Sequence, residues 1–300
     1  MTTITRIFDL LPNYVASYKP KDDALACKED GVWKKYSIEQ YIRMADDLTY
    51  GLLSLGVKKG DTIATITNNR PEWNFLDMAI MQAGAIHVPV YPTISAADYQ
   101  YIFNHASIKF VFVSGEELAR KIKEVSGNCP SVEEVFTFKQ REGFRNFYDL
   151  VGIGQAGPLP EKVQAIKESI QGEDLATIIY TSGTTGNPKG VMLSHTNIIS
   201  NFVAVSYIPT FGEAGNALSF LPLCHVYERL LNYLYHYLGI SVYYAESLAT
   251  ITDNIKEIHP DMMCCVPRLL EKIYDKIQAT GRKLKGVKRM IFFWAVDLAL

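Results

Sequence analysis

Nowhere do the 300 residues approach the ~18 uninterrupted apolar residues of a membrane-spanning helix. The stretch Leu230–Tyr244 is rich in Leu and Tyr, but Asn232, His236 and Ser241 break it. The N-terminus, MTTITRIFDLLPNYVASYKP, lacks the basic start and continuous apolar core of a signal peptide. These absences predict a cytoplasmic protein. Neither sign of charge is in excess: 30 Lys plus Arg stand against 32 Asp plus Glu, a formal charge of −2. That balance argues against a nucleic-acid partner, which would call for a basic patch. Cysteine is sparse and unpatterned. Cys27, Cys129, Cys224, Cys264 and Cys265 show no CxxC spacing, which argues against a zinc site or a disulfide framework. The adjacent Cys264 and Cys265 read as packing. The histidines show no metal-ligand spacing, and HVYE is not HExxH.

What is present is an alternation of strand and helix patterns. Ser37–Leu55 has amphipathic helical spacing, with Ser37 as N-cap and Gly56 after its end. Thr62–Thr67 alternates like a strand, and Pro71–Gly84 reads as a helix opened by Pro and closed by Gly. Ile86–Val90 (strand), Ser95–Ala106 (helix) and Phe110–Ser114 (strand) continue the series. Such order predicts an α/β protein with mostly parallel sheets. Gly143–Gln171 looks polar and irregular, with GIGQAGPLP as a loop. Strands follow at Asp174–Tyr180, Gly190–Ser194, Ala217–Leu221 and Gly239–Tyr244, and helices at Thr196–Ser206 and Leu248–His259. VPRLLEKIYDKI turns at Pro267 and becomes an amphipathic helix.

One stretch departs from ordinary turn chemistry: YTSGTTGNPKGVMLSH, Tyr180–His195. It is not a Walker loop, because Lys189 follows Pro188 and the following residues read as a strand rather than a helix. The dinucleotide fingerprint GxGxxG is also missing. Gly183, Gly186 and Gly190 would let backbone N–H groups approach an anion. Thr181, Ser182, Thr184 and Thr185 add hydroxyls, and Lys189 adds a point charge for a phosphate oxygen.

The string TSGTTGNPKGV resembles the AMP-binding signature of the adenylate-forming superfamily, which includes acyl-CoA synthetases, luciferase and peptide-synthetase adenylation domains. The resemblance extends through residues 56–93 and LPLCHVYERL. With VPRLLEKIYDKI, that last segment is similar to the long-chain fatty acid–CoA ligase branch. The resemblance implies two stacked α/β subdomains and leaves open part of a small β-barrel. It implies ATP, Mg²⁺ and coenzyme A as co-substrates or cofactor, and formation of acyl-AMP followed by a thioester. Thr181, Ser182, Gly183, Thr184, Thr185, Gly186, Lys189 and Gly190 would bind the nucleotide, with Thr184 on the metal. Lys189, Thr184 and His225 would be catalytic. His225, Tyr227 and Arg229 would face the acyl substrate, although Arg229 stands where some relatives carry a bulky aromatic. Two plainer readings stay beside these: His225 as a turn histidine satisfied by backbone, and Glu228 with Arg229 as a solvated ion pair.

The family's adenine- and ribose-binding motifs and mobile catalytic domain do not occur in these residues, so the chain is expected to be the N-terminal part of a longer enzyme. An apolar, helical end, MIFFWAVDLAL, fits that expectation. The organisation expected is a segment 1–55 packing on the second subdomain, a first subdomain 56–200 with its phosphate loop at 180–190, and an incomplete second subdomain 201–300. Transfer to a carrier-protein thiol, or a nucleotide-binding module without catalysis, are the alternatives. Peripheral membrane contact and a homodimer stay open.

Overall fold

The structure, a computed structural model, describes residues 4–181 and 186–299. It divides into two compact units, Met1–Met262 and Met263–Leu300. The first unit begins with α1 (Leu10–Ser17), the hairpin β1 (Leu25–Glu29) and β2 (Val32–Tyr36), α2 (Ile38–Ser54), β3 (Thr62–Ile66) and α3 (Pro71–Gln82). Next come β4 (Ile86–Pro89), α4 (Ala96–His105), β5 (Ile108–Val113), α5 (Glu116–Ser126) and β6 (Glu134–Thr137). Helices α6 (Phe147–Ala156) and α7 (Pro160–Ser169) precede β7 (Leu175–Thr181), β8 (Lys189–Ser194) and α8 (His195–Ala204). The unit closes with β9 (Asn216–Ser219), α9 (Val226–Tyr237), β10 (Ser241–Tyr244) and α10 (Ile251–Ile258).

Local chemistry sets several of these limits. Ser37 Oγ accepts the Gln40 N–H at 3.2 Å while the Gln40 side chain takes the Ser37 N–H at 2.8 Å, so α2 starts on a capping box. Ser194 and Asn197 repeat the device at α8. Gly56, with φ +80°, leaves the end of α2 in the left-handed region that glycine favours.

The larger sheet runs β6-β5-β3-β4-β7-β8, parallel except for the antiparallel β7–β8 pair. Within the first unit the smaller sheet runs β9-β10-β1-β2, with only β1–β2 antiparallel. Strands β1 and β2 therefore join strands from beyond residue 200, whereas α2 packs on α3 and α6. Helix α3 is buried on every side, as a helix set between two layers must be. Trp73 on it donates to Thr65 of β3, and Asn74 donates to the Tyr244 hydroxyl of β10.

The expectation of an irregular segment at 143–171 is corrected by α6 and α7. Asn146 caps α6 by accepting the N–H groups of Tyr148 and Asp149 at 2.8 and 3.3 Å. One glycine that read as loop is a contact point: a Cβ on Gly154 would strike the Asp47 carbonyl of α2, and across the same contact one on Gly51 of α2 would strike the Leu150 carbonyl of α6. The second unit is a helical hairpin, α11 (Pro267–Arg282) and α12 (Gly286–Ala299), with Gly281 against the Phe292 ring.

Candidate active site

The glycine-rich stretch lies at the tip of the β7–β8 hairpin. Thr181 pairs with Lys189 across the ladder, and Tyr180 with Gly190. Ser182, Gly183, Thr184 and Thr185 lie outside the described residues, and with them the residue expected to hold the metal. Gly186 has φ +98°, a conformation that disfavours any side chain. Gly190 has a different reason to be glycine: a Cβ there would come within 2.8 Å of the Ile178 side chain. Below the tip, His105 Nδ1 and the Tyr180 hydroxyl share a hydrogen bond of 2.6 Å that anchors the hairpin to α4.

His225 is the N-cap of α9, and its Nδ1 accepts the Tyr227 N–H at 3.3 Å. Its ring is exposed, on a cavity of about 490 Å³ that Thr181, Gly186 and Pro188 also line. The structure thus brings His225 to the base of the loop, and the backbone-satisfied reading of this histidine is true at the same time. Beside it in the cavity, burial pushes the Cys224 thiol up to about 12, so it stays protonated and is no nucleophile at neutral pH.

A second cavity, of about 530 Å³, opens between β7, β8, α8 and α9. Ile179, Leu193, Ile198, Val226 and Leu230 give it apolar walls, and Tyr227 lines it while remaining 44% exposed. Ile179 and Val226 line both cavities, so the two spaces adjoin through those side chains.

The solvated Glu228–Arg229 pair is overturned. Both side chains are buried, at 2% and 1% exposure, and they bind different partners. Glu228 accepts from Ser219 Oγ at 2.5 Å. Arg229 reaches the apolar cavity from a polar cluster, donating to Tyr233 at 2.7 Å, Thr177 at 2.6 Å and Asp77 at 2.5 Å. Burial forbids solvated ends, so each charge or dipole needs a protein partner. His195 is buried too, accepting the Ile7 N–H on Nδ1 at 3.1 Å. Its neutral form is enforced by burial, which lowers its pKa to about 4. That is a structural role, tying the N-terminal segment to α8.

Sequence patterns do not single out Asp77, His87 or Asn69, all of which brace this region. Each looks like an ordinary polar residue near the edge of an apolar run. Among the described residues no group of three or more His, Cys, Asp or Glu could hold a metal ion.

Residues 14–297 match the family model of AMP-binding enzymes. The chain belongs to the AMP-binding enzyme family. Its similarity to fatty acyl-CoA synthetase A of Dictyostelium discoideum is 30% identity over 92% of this chain and 42% of that protein. With long chain acyl-CoA synthetase 6, peroxisomal, of Arabidopsis thaliana it is 31% identical over 88% of this chain and 38% of the relative. The chain therefore spans about two fifths of the length of the curated relatives it matches. The adenylation domain of a carboxylate reductase from Mycobacterium chelonae superposes with a TM-score of 0.80 at 20% identity, covering 96% of this chain and 50% of that one. The two mostly parallel sheets are thus those of the adenylate-forming fold. Among the described residues of this AMP-binding family member, no helix is long and apolar enough to cross a membrane.

Proposed function

We propose that the complete protein activates a long-chain fatty acid with ATP, giving acyl-AMP and pyrophosphate, and then transfers the acyl group to coenzyme A. The observation that carries this reading is the pair of adjoining cavities. One lies between the glycine-rich loop and His225, the other is apolar, and Ile179 and Val226 stand in both. The first suits a polyphosphate and a carboxylate, the second an acyl chain.

Joining two anions requires that their repulsion be screened where the carboxylate meets the α-phosphate. Lys189, exposed at the end of β8 opposite Thr181, supplies a positive charge for the phosphate chain. Thr181 and the backbone at Gly186 supply short donors, and Ser182, Gly183, Thr185 and Gly190 belong to the same proposed cradle. His225 stands at the mouth, where its outward ring edge can donate to the carboxylate or the α-phosphate. Tyr227 and Arg229 complete the acyl side. The donor set, with hydroxyls and no carboxylate cluster among the described residues, fits a Mg²⁺ ion held mainly by nucleotide phosphates, with Thr184 as the protein oxygen. When bound, the ion would neutralise phosphate charge. A water-insoluble acid also makes peripheral membrane contact by a cytoplasmic enzyme part of this reading.

The test is pyrophosphate release by the complete gene product with ATP, Mg²⁺ and palmitate, with and without coenzyme A, and with acetate and an aromatic acid as controls. Palmitate-dependent release that rises with coenzyme A is expected. Release indifferent to coenzyme A would move the acceptor to a carrier-protein thiol, and no release with any acid would overturn the reading.

A further inference from the structure

We infer that Asn69 is a positioning residue for carboxylate activation: its side-chain amide hangs the His225-bearing loop from the large sheet. The inference rests on the role proposed above for His225.

Asn69 follows β3, in the middle of the large sheet, and reaches across to the segment between β9 and α9. Its Nδ2 donates to the Leu221 carbonyl at 2.7 Å, and its Oδ1 accepts the Leu223 N–H at 2.9 Å. The amide straddles Pro222 as a neighbouring strand would, taking the carbonyl on one side and the N–H on the other. Proline has no N–H of its own to offer there. The next bond in line is from the His225 N–H to the Pro222 carbonyl, at 2.9 Å, so the turn that presents His225 starts where Asn69 grips.

Nδ2 also approaches Ser219 Oγ at 3.3 Å, and that hydroxyl donates onward to Glu228 in the first turn of α9. One amide therefore reaches two parts of the approach to His225: the end of β9 and the residues on either side of Pro222. The phosphate loop departs from the large sheet, through β7 and β8, whereas His225 stands at the end of a segment leaving the small one. Their separation is set by whatever links the two sheets at this level, and Asn69 supplies such a link. It lines neither of the two cavities proposed above for the nucleotide and the acyl chain. A displacement of about 1 Å in a reacting group can cost on the order of a hundredfold in rate.

The decisive experiment is a double-mutant cycle on the complete gene product, read as palmitate-dependent ATP–pyrophosphate exchange. Asn69→Ala should lower kcat about 10- to 100-fold and leave the KM for ATP within about twofold, because the β7–β8 hairpin is untouched. In a His225→Ala background the same substitution should cost no more than about twofold, since its effect runs through His225. An equal loss in both backgrounds would overturn the inference. Asn69→Asp adds a pH signature. Its carboxylate keeps an acceptor for Leu223 N–H but turns an oxygen on the Leu221 carbonyl, whereas its protonated form donates there again. Activity relative to the parent should recover as pH falls, and Asn69→Ala should show no recovery; a flat ratio for both counts against the clamp. Hydrogen exchange separates this claim from the proposed activity, because it needs no substrate. Asn69→Ala should speed exchange at Leu223 and His225 and leave β7 and β8 unchanged. Unaltered protection at those two amides overturns the clamp whatever the enzyme does, while a His225→Ala enzyme of full activity would sink only the role given to His225.

Discussion

Asp77 and Arg229 form an ion pair at 2.5 Å with each side chain only 1% exposed. The Tyr233 hydroxyl donates to the second Asp77 oxygen at 2.6 Å, and His87 Nδ1 lies at 2.5 Å from the first. Burial alone would raise the Asp77 pKa, but the Arg229 charge and the bonds from His87 and Tyr233 outweigh it and hold the carboxyl below its usual value. Burial keeps His87 neutral, so its Nδ1 proton points at Asp77 and its Nε2 accepts from Thr65 at 2.7 Å.

Asp77→Ala should therefore destabilise the fold by about 3–5 kcal/mol, because it strands a buried guanidinium. Urea unfolding of the variant and parent at pH 7 measures it, and a loss below about 1 kcal/mol would be the wrong outcome. The sign of the pH effect follows from the depressed pKa. The Asp77 contribution is present above the unfolded carboxyl pKa and is lost as pH falls through and below it.

Glu228 runs the other way. Burial, against a smaller opposing effect from the Ser219 bond, raises its pKa from 4.5 to about 7. The folded state then holds a proton that the unfolded state has released, so stability falls as pH rises from 4.5 through 7. Glu228→Gln keeps a carbonyl acceptor for Ser219 and removes the titration. The variant should gain stability over the parent above pH 7, by on the order of 3 kcal/mol at ~1.4 kcal/mol per pKa unit. Near pH 4 the gain should vanish. His195 and His236, both lowered to about 4 by burial, lose stability as pH falls below 6.5 and are common to both proteins. The difference between the two pH–stability curves therefore isolates Glu228.

Periodicity and caps made the large sheet legible. TIATIT, FVFVS and DLATIIY are short apolar strands between turn residues, and Ser37 and Pro71 announce the helices that follow. The glycine-rich loop stood out because three glycines, four hydroxyls and a lysine exceed what a turn needs. The β1–β2 hairpin was harder, because VWKKY exposes most of its side chains and has no apolar alternation. Its turn residues, Asp30 and Gly31, have φ of 49° and 79°, as a tight hairpin turn requires. Asn69, Asp77 and His87 were illegible for another reason. Their partners are 142 to 156 residues away in sequence for every bond to α9 or its loop, and spacing carries no information at that range.

Gly154 shows the same limit in a helix, and yields a prediction. Read along the chain, GIGQAG looks like a breaker run, yet Gly154 lies where α6 meets α2, and a Cβ would collide with backbone. Backbone cannot swing aside as a flexible side chain can, so overpacking applies: Gly154→Ala should destabilise by about 1–3 kcal/mol despite alanine's better helix propensity. Gly152, with nothing within 4 Å of its added Cβ, is the control. Gly152→Ala should be neutral or stabilising by up to about 1 kcal/mol. The Gly154→Ala melt should shift down while the Gly152→Ala melt stays in place or shifts up, and a Gly154→Ala melt that does not fall would mean that the α2–α6 contact is looser than this.

Lys189 is the residue whose removal should separate chemistry from folding. Its side chain is exposed, and it makes no ion pair among the described residues. Surface changes of that kind move stability by no more than about 0.5 kcal/mol. Its place opposite Thr181, at the entrance to the loop, is nevertheless where a phosphate chain would need a charge. Lys189→Met in the complete gene product should keep the parent's melting temperature and lower adenylate formation by about 10²–10³-fold. Lys189→Arg should restore only part of that loss, because a planar guanidinium fork is not interchangeable with a compact ammonium. Full activity in Lys189→Met would remove the lysine from the phosphate site and leave the loop's backbone and hydroxyls to bind the nucleotide alone.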